Sequence, residues 1–249
     1  MKHRQKRNTI EARTLTFIPS NDDMNAMGRI EVVSFDMEGT LIDTTFSDLI
    51  WETDIPTLYG QRHGLDLETA KERVLREYDQ VGDERIEWYD AGYWFRRLGL
   101  PGDWRRLLER RADECRVYPE VRQALESLVD RYPLIISSNT IREFLEVQLR
   151  MLPPVFTHVF SAPSDFETVK AEEFYERICL LLGVHPDAVV HVGDSRKFDF
   201  EPADRLGIQA YHLDRTGGQR GEKIVHDLLE FTDRVKELEE SLSFQKDVF

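Results

Sequence analysis

Cysteine is nearly absent. Cys115 and Cys179 are the only two in 249 residues, and they lie far apart. They form neither a disulfide framework nor a metal-ligand spacing, so a reducing, cytoplasmic setting is the default expectation. Long apolar runs are missing too. No segment approaches the roughly 20 apolar residues of a membrane-spanning helix. The first residues, Met1-Lys2-His3-Arg4-Gln5-Lys6-Arg7, are basic but lack the apolar stretch that follows in a secretory signal. Positive charge is in deficit: 33 Lys and Arg against 47 Asp and Glu give a formal net charge of −14. That field argues against nucleic acid and membrane surfaces as partners. A small phosphorylated metabolite stays open, because a local cation and a few donors can offset the field. Repeats and low-complexity tracts are also absent.

There is ample material for a core. Hydrophobic residues make up 41% of the chain, enough at this length for one large domain or two smaller ones. Residues 1–28 are expected to be a disordered extension, since termini are weakly tethered. Arg29 to Phe35 is the first predicted strand. From Thr44 to Val117 the pattern turns helical, with helices predicted over 46–59, 66–78, 87–98 and 103–115. Leu67, Ala70, Val74, Leu75 and Tyr78 show the spacing of a helix face. Pro56 is expected to kink or end the first of these helices.

An alternating pattern follows: helix 119–131, strand 134–138, helix 140–152, strand 155–161, helix 171–182, strand 188–192, helix 201–206 and strand 208–213. Alternation of this kind predicts an α/β fold with a parallel sheet covered by helices on both faces. A docking helix is expected over 222–242.

Acidic residues stand at two strand ends. Val32-Val33-Ser34-Phe35 runs into Asp36-Met37-Glu38-Gly39-Thr40, and Val189-Val190-His191-Val192 runs into Gly193-Asp194-Ser195-Arg196-Lys197-Phe198-Asp199. An ionised carboxylate at the end of a buried strand is costly without a partner. Two such ends side by side can build one site, which is where open α/β sheets bind ligands. A third strand ends in Ser137-Ser138-Asn139, and Lys170 precedes the helix that begins at Ala171-Glu172-Glu173.

On these residues the chain resembles the haloacid dehalogenase-like (HAD) superfamily of hydrolases. The first family motif, Asp-x-Asp-Gly-Thr, is Asp36 to Thr40 here, with Glu38 in place of the second Asp. Ser138 ends the second motif, Lys170 is the third, and Gly193, Asp194 and Asp199 match the fourth. The resemblance spans roughly Arg29 to Arg215. It implies a Rossmann-like core over 29–43 and 118–249 with an inserted helical cap over 44–117. The first and fourth strands are implied to be neighbours at the centre of the sheet.

The resemblance also implies a phosphatase acting on a small phosphorylated metabolite with Mg2+ as cofactor. Asp36 would be the nucleophile, forming an aspartyl-phosphate. Glu38 would be the general acid and base. Ser138, Asn139 and Lys170 would hold the phosphate, and Lys170 would orient Asp36. Asp36, Asp194 and the backbone carbonyl of Glu38 would ligate the metal. Asp199 would stand behind them, holding Lys170 or a metal-bound water. An acid at position 38 favours a phosphatase over a dehalogenase. Two alternatives remain: a phosphomutase of the same superfamily, and a catalytically weak metal-dependent binding or regulatory protein. Gly39 and Gly193 are expected to leave room for phosphate and metal. His191 is expected to be a hydrogen-bonded core residue. Arg62, His63, Arg96 and Arg97 are expected to be solvated charges.

Overall fold

The computed structural model describes residues 29–246; the expected extension over 1–28 lies outside them. Six parallel strands form one sheet in the order β3-β2-β1-β4-β5-β6. They are β1 (Val32–Phe35), β2 (Leu134–Ser138), β3 (Phe156–Ser161), β4 (Val189–Gly193), β5 (Gln209–Leu213) and β6 (Ile224–Val225). β1, β2 and β4 are buried at every position. A central parallel strand is covered on both faces, so it is written in near-continuous apolar residues. β1 lies between β2 and β4, where the winding direction of the sheet reverses. Loops leaving β1 and β4 therefore part from each other and open a crevice.

Alternate residues of β1 serve opposite faces. Val33 and Phe35 belong to a core shared with α6 (Val121–Leu128) and the C-terminal helix α11 (Leu228–Lys246). There the Phe35 and Phe231 rings meet edge to face at 5.6 Å. Val32 belongs to the opposite core, with α9 (Glu172–Leu182) and α10 (Glu201–Leu206). Truncating either phenylalanine to alanine would cost about 3–5 kcal/mol.

A helical segment connects β1 to β2. α1 (Thr45–Asp48) continues through a π-helical turn (Leu49–Asp54) into α2 (Ile55–His63). Pro56 is expected to kink or end part of this run, and the run does divide there: the π-helical turn ends at Asp54 and Pro56 sits in the first turn of α2. The wider turn just upstream accommodates a residue with no N–H. The Trp51 carbonyl, five residues before Pro56, accepts the Tyr78 hydroxyl instead (3.2 Å). α3 (Leu67–Val81) is capped by Asp66, which accepts the Thr69 N–H at 2.9 Å. α4 (Ala91–Arg97) and α5 (Arg105–Arg111) are shorter than expected, because 3₁₀ turns at Ile86–Trp88 and Ala112–Glu114 take the flanking residues. Ile42 and Val117, at the two ends of the segment, pair as an antiparallel bridge. Trp51 stacks on Phe144 of α7 (Arg142–Leu149) at 5.6 Å, which docks the segment on the sheet domain.

Two elements depart from the sequence reading. A short helix, α8 (Ala162–Phe166), follows β3 directly. The residues from 222 do not begin one long helix: Ile224 and Val225 form β6 beside β5, and α11 starts only at Leu228. Two β-branched residues are too few to show a strand period, and they fall in phase with the helix face that follows. Among the described residues no helix is long and apolar enough to cross a membrane.

Candidate active site

The residues singled out in the sequence gather at the carboxyl ends of β1, β2 and β4. Asp36 follows β1, and its N–H donates to the Val192 carbonyl of β4 at 2.9 Å, so the loops after the two strands start from one level. Asp194 follows β4 directly. Ser138 closes β2, and its Oγ accepts the Thr140 N–H at 3.1 Å. The carboxylate oxygens of Asp36, Asp194 and Asp199 come within 4.8 Å of one another.

Lys170 is buried in this cluster. Its ammonium donates to Asp36 Oδ1 at 2.5 Å, to the Ser137 carbonyl at 3.2 Å and to Asp199 Oδ1. Burial alone would push the ammonium down, but Asp199 and Asp36 outweigh it and hold the group above its ordinary value. Burial also works against the Asp199 charge; Lys170 and His191 reverse it and bring that carboxyl down to about 2. Asp36 goes the other way. Burial, with Asp199 and Asp194 alongside, raises it well above the aspartate range although Lys170 opposes. Asp194, the exposed member of the cluster, is raised to about 6 by the protein crowded around it and by Asp199.

These shifts describe a site short of positive charge, with one ammonium against three carboxylates. Asp199 has little to offer a ligand. Its Oδ1 takes Lys170 and lies 3.3 Å from His191 Nε2, and its Oδ2 accepts the Ser195 N–H at 2.9 Å. Asp36 and Asp194 keep oxygens free. Two carboxylates on neighbouring strand ends suit a small divalent cation that takes oxygen ligands, and such a charge would let both stay ionised.

Glu38 stands apart from that cluster. Its Oε1 accepts both the Ser47 hydroxyl of α1 and the Gln148 amide of α7. Burial raises its carboxyl even though both hydrogen bonds pull it down. It also lines a cavity of about 270 Å3 between the helical segment and the sheet domain. A carboxyl with a raised pKa at the wall of a cavity is suited to proton transfer.

The glycines also make room for the protein's own carboxylates. Gly39 has φ +78°, and a Cβ there would collide with the Asp194 carboxyl. A Cβ at Gly193 would collide with Asp199. The space is kept for protein carboxylates, because the first and fourth motifs pack directly on each other.

The haloacid dehalogenase-like hydrolase model matches residues 30–207. This chain belongs to that hydrolase family. The GMP/IMP nucleotidase YrfG of Escherichia coli (strain K12) is 32% identical over 71 residues, 28% of this chain. That match spans only 32% of the nucleotidase. Glyceraldehyde 3-phosphate phosphatase of Pyrococcus abyssi (strain GE5 / Orsay) is 26% identical over 195 residues, 72% of this chain and 79% of the relative. The crystal structure of an HAD phosphatase from Thermococcus onnurineus has a TM-score of 0.73 at 26% identity, covering 83% of this chain and 98% of that one.

Several residues of this HAD-like site were not singled out in the sequence. Arg215 donates to the Gly39 and Thr40 carbonyls (3.0 and 2.7 Å) and to Glu120 (2.7 Å), with its guanidinium 3.5 Å from the Tyr118 ring centroid. It ties the loop after β1 to the loops after β5 and before α6. Ser47 and Gln148, which hold Glu38, lie 9 and 110 residues away from it. Asn139 turns both amide ends to protein: Oδ1 accepts the Lys170 N–H (2.7 Å) and Nδ2 donates to the Tyr89 hydroxyl (3.2 Å).

A buried polar chain runs beneath the site. Ser137 Oγ meets Ser34 Oγ at 3.0 Å, Ser34 Oγ meets His191 Nδ1 at 2.9 Å, and His191 Nε2 meets the Tyr175 hydroxyl at 3.1 Å. Burial lowers the His191 pKa in spite of Asp199, which favours the neutral ring. A signal for this chain was present, since Ser34, Ser137 and His191 are polar residues inside otherwise apolar strands. Lys197, beside Asp199 in sequence, points elsewhere and pairs with Asp83 (2.7 Å) and Glu84 (3.0 Å).

Proposed function

We propose that the protein is a Mg2+-dependent phosphatase of small phosphorylated metabolites, working through an aspartyl-phosphate. The observation that carries this reading is the division of labour among the acids. Asp36 is tied to the buried Lys170, while Glu38 faces a cavity with a raised pKa. Asp36 and Asp194, with the Glu38 backbone carbonyl, would hold the metal. When bound, the ion supplies positive charge against the anionic phosphate oxygens and keeps the two carboxylates ionised.

In the first step an Asp36 oxygen attacks phosphorus, and the bond to the leaving oxygen breaks. Glu38 gives its proton to that oxygen, so an alcohol departs. In the second step water attacks the same phosphorus and gives its proton to the Glu38 carboxylate. The bond to Asp36 breaks, phosphate leaves and both acids return to their starting state. Lys170 and Ser138 would hold the phosphate oxygens throughout, with Asn139 fixing the Lys170 backbone through Oδ1 and having one Nδ2 hydrogen left for a phosphate oxygen. Charge-assisted donors preset in a buried site need little reorganisation as charge develops. Asp199 keeps Lys170 protonated and aimed at Asp36.

The phosphatase names among the relatives support this reading. It is tested by phosphate release from a panel of phosphomonoesters, with Mg2+ or with EDTA, for the wild type and Asp36→Asn. Turnover that needs the metal and disappears in the variant is expected. Transfer to an isomeric sugar phosphate without free phosphate would make the enzyme a mutase. A folded, metal-binding protein inert to the whole panel would overturn the catalytic reading.

A further inference from the structure

The cavity beyond Glu38 limits what the leaving alcohol can be; the argument rests on the phosphatase reading and deepens it. Glu38 protonates the leaving oxygen in that reading, so the alcohol must occupy the space Glu38 faces. That space has about 270 Å3, room for a group the size of a small sugar or a single aromatic ring system. Its walls are aromatic: Trp51, Tyr78 and Trp88 from the helical segment, and Phe144 from α7. Its charges have one sign. Among the described residues the lining includes Asp48, Glu52 and Asp79 but no Lys, Arg or His.

All three carboxylates are exposed, and among the described residues only Glu52 is ion-paired. Lys71 pairs with Glu52 at 2.8 Å. Asp48 accepts only the Thr44 hydroxyl (2.6 Å) on its side chain, and Asp79 makes no side-chain hydrogen bond or ion pair among the described residues. The buried cation of the site, Lys170, is not part of this lining and stands with Asp36 and Asp199 instead. In the phosphatase reading the cation serves the phosphate, and the alcohol meets only carboxylates.

We propose that the substrate is a phosphomonoester whose alcohol carries no negative charge and offers an apolar or aromatic face to the cavity. A carboxylate or second phosphate on the alcohol would be desolvated against aromatic rings and placed near like charges with no cation to receive it. Neutral sugars, nucleosides and amino alcohols meet no such barrier, and the aromatic faces favour a flat or cationic group. Phosphorylated hydroxy acids and bisphosphates are excluded. Asp48 and Asp79 act as specificity determinants by repelling the wrong alcohol.

The test uses matched pairs that differ by one charge: 4-carbamoylphenyl phosphate against 4-carboxyphenyl phosphate, and glycerol 3-phosphate against 3-phosphoglycerate. The full-length protein with Mg2+ is expected to favour the neutral member in kcat/KM by at least about tenfold, equivalent to about 1.4 kcal/mol. Asp79→Asn and Asp48→Asn should each narrow the ratio, and Asp79→Lys should narrow it most, chiefly through KM for the charged member. Equal turnover within both pairs, or a ratio that none of these variants moves, overturns the proposal and leaves the phosphatase reading standing. If all four esters and p-nitrophenyl phosphate are inert, the phosphatase reading falls and this proposal falls with it.

Discussion

Replacing Lys170 with Met removes the buried ammonium but keeps most of the side-chain volume. Asp199, whose side chain is 1% exposed, then keeps His191, Tyr175 and the Ser195 N–H as neighbours but has no full cation. Removing one partner of a buried pair costs about 3–5 kcal/mol. The pKa of Asp199 agrees in direction: against its burial, Lys170 and His191 hold the carboxyl down to about 2.

Lys170→Met is therefore expected to lose about 3 kcal/mol in urea unfolding with an unchanged m-value. Adding Asp199→Asn to that variant should cost much less than Asp199→Asn alone, a coupling of about 2 kcal/mol. The pH dependence should change as well. In the wild type the Asp199 contribution is present above pH about 4 and fades as the pH falls toward 2, because the folded pKa is depressed. Without Lys170, burial governs Asp199 and raises it, so its contribution reverses and stability falls as the pH rises above about 4. Losses that simply add, with coupling below about 0.5 kcal/mol, would refute the charge balance argued here.

Gly193→Ala forces Asp199 aside and is expected to cost about 1–3 kcal/mol; Gly39→Ala adds a left-handed strain and pushes on Asp194, so Mg2+ affinity by calorimetry should fall more than the melting temperature. In EDTA, stability should fall as the pH rises from about 4 through 6, since Asp194, raised to about 6, holds its proton more tightly folded than unfolded. Mg2+ competes for the same carboxylates, so its stabilisation in thermal melts should be larger at pH 7.5 than at pH 5; equal shifts at both would remove Asp194 from the metal site. Arg215→Met leaves Glu120 without its cation and frees the Gly39 and Thr40 carbonyls. It should lower kcat at least about tenfold, as expected when reacting groups lose their alignment; a wild-type kcat would rule out that role.

The sheet was legible because its signals are local. Each central strand is four or five buried residues, apolar except for Ser34, Ser137, Ser138 and His191, and covered parallel strands call for such near-continuous apolar runs. The parts that were missed lack a local signal. β6 is two residues long, and the turn that admits Pro56 depends on a carbonyl finding the Tyr78 hydroxyl 27 residues away in sequence. Within the site, Asp36, Asp194 and Asp199 were visible as acids where strands end. Their supports were visible only as single polar residues within strands, without their partners. Ser34 and His191 sit opposite each other in the β1–β4 register and so meet beneath the acids, but only the strand order makes them neighbours.

Glu38 shows how far one chemical departure can be followed. Glu extends a methylene beyond Asp and has one more torsion to fix, so an acid at this position needs holding more than Asp would. Ser47 and Gln148 both donate to the same oxygen, Ser47 from the helical segment and Gln148 from the sheet domain. Fixing the carboxyl this way stabilises its ionised form, while burial opposes ionisation and prevails. The acid is therefore clamped across the two parts that form the cavity wall. Any separation of the helical segment from the sheet domain would withdraw the Ser47 donor from Glu38 as it opened the cavity. Separation would also hydrate the carboxyl, so it would remove together the donor that favours ionisation and the burial that opposes it.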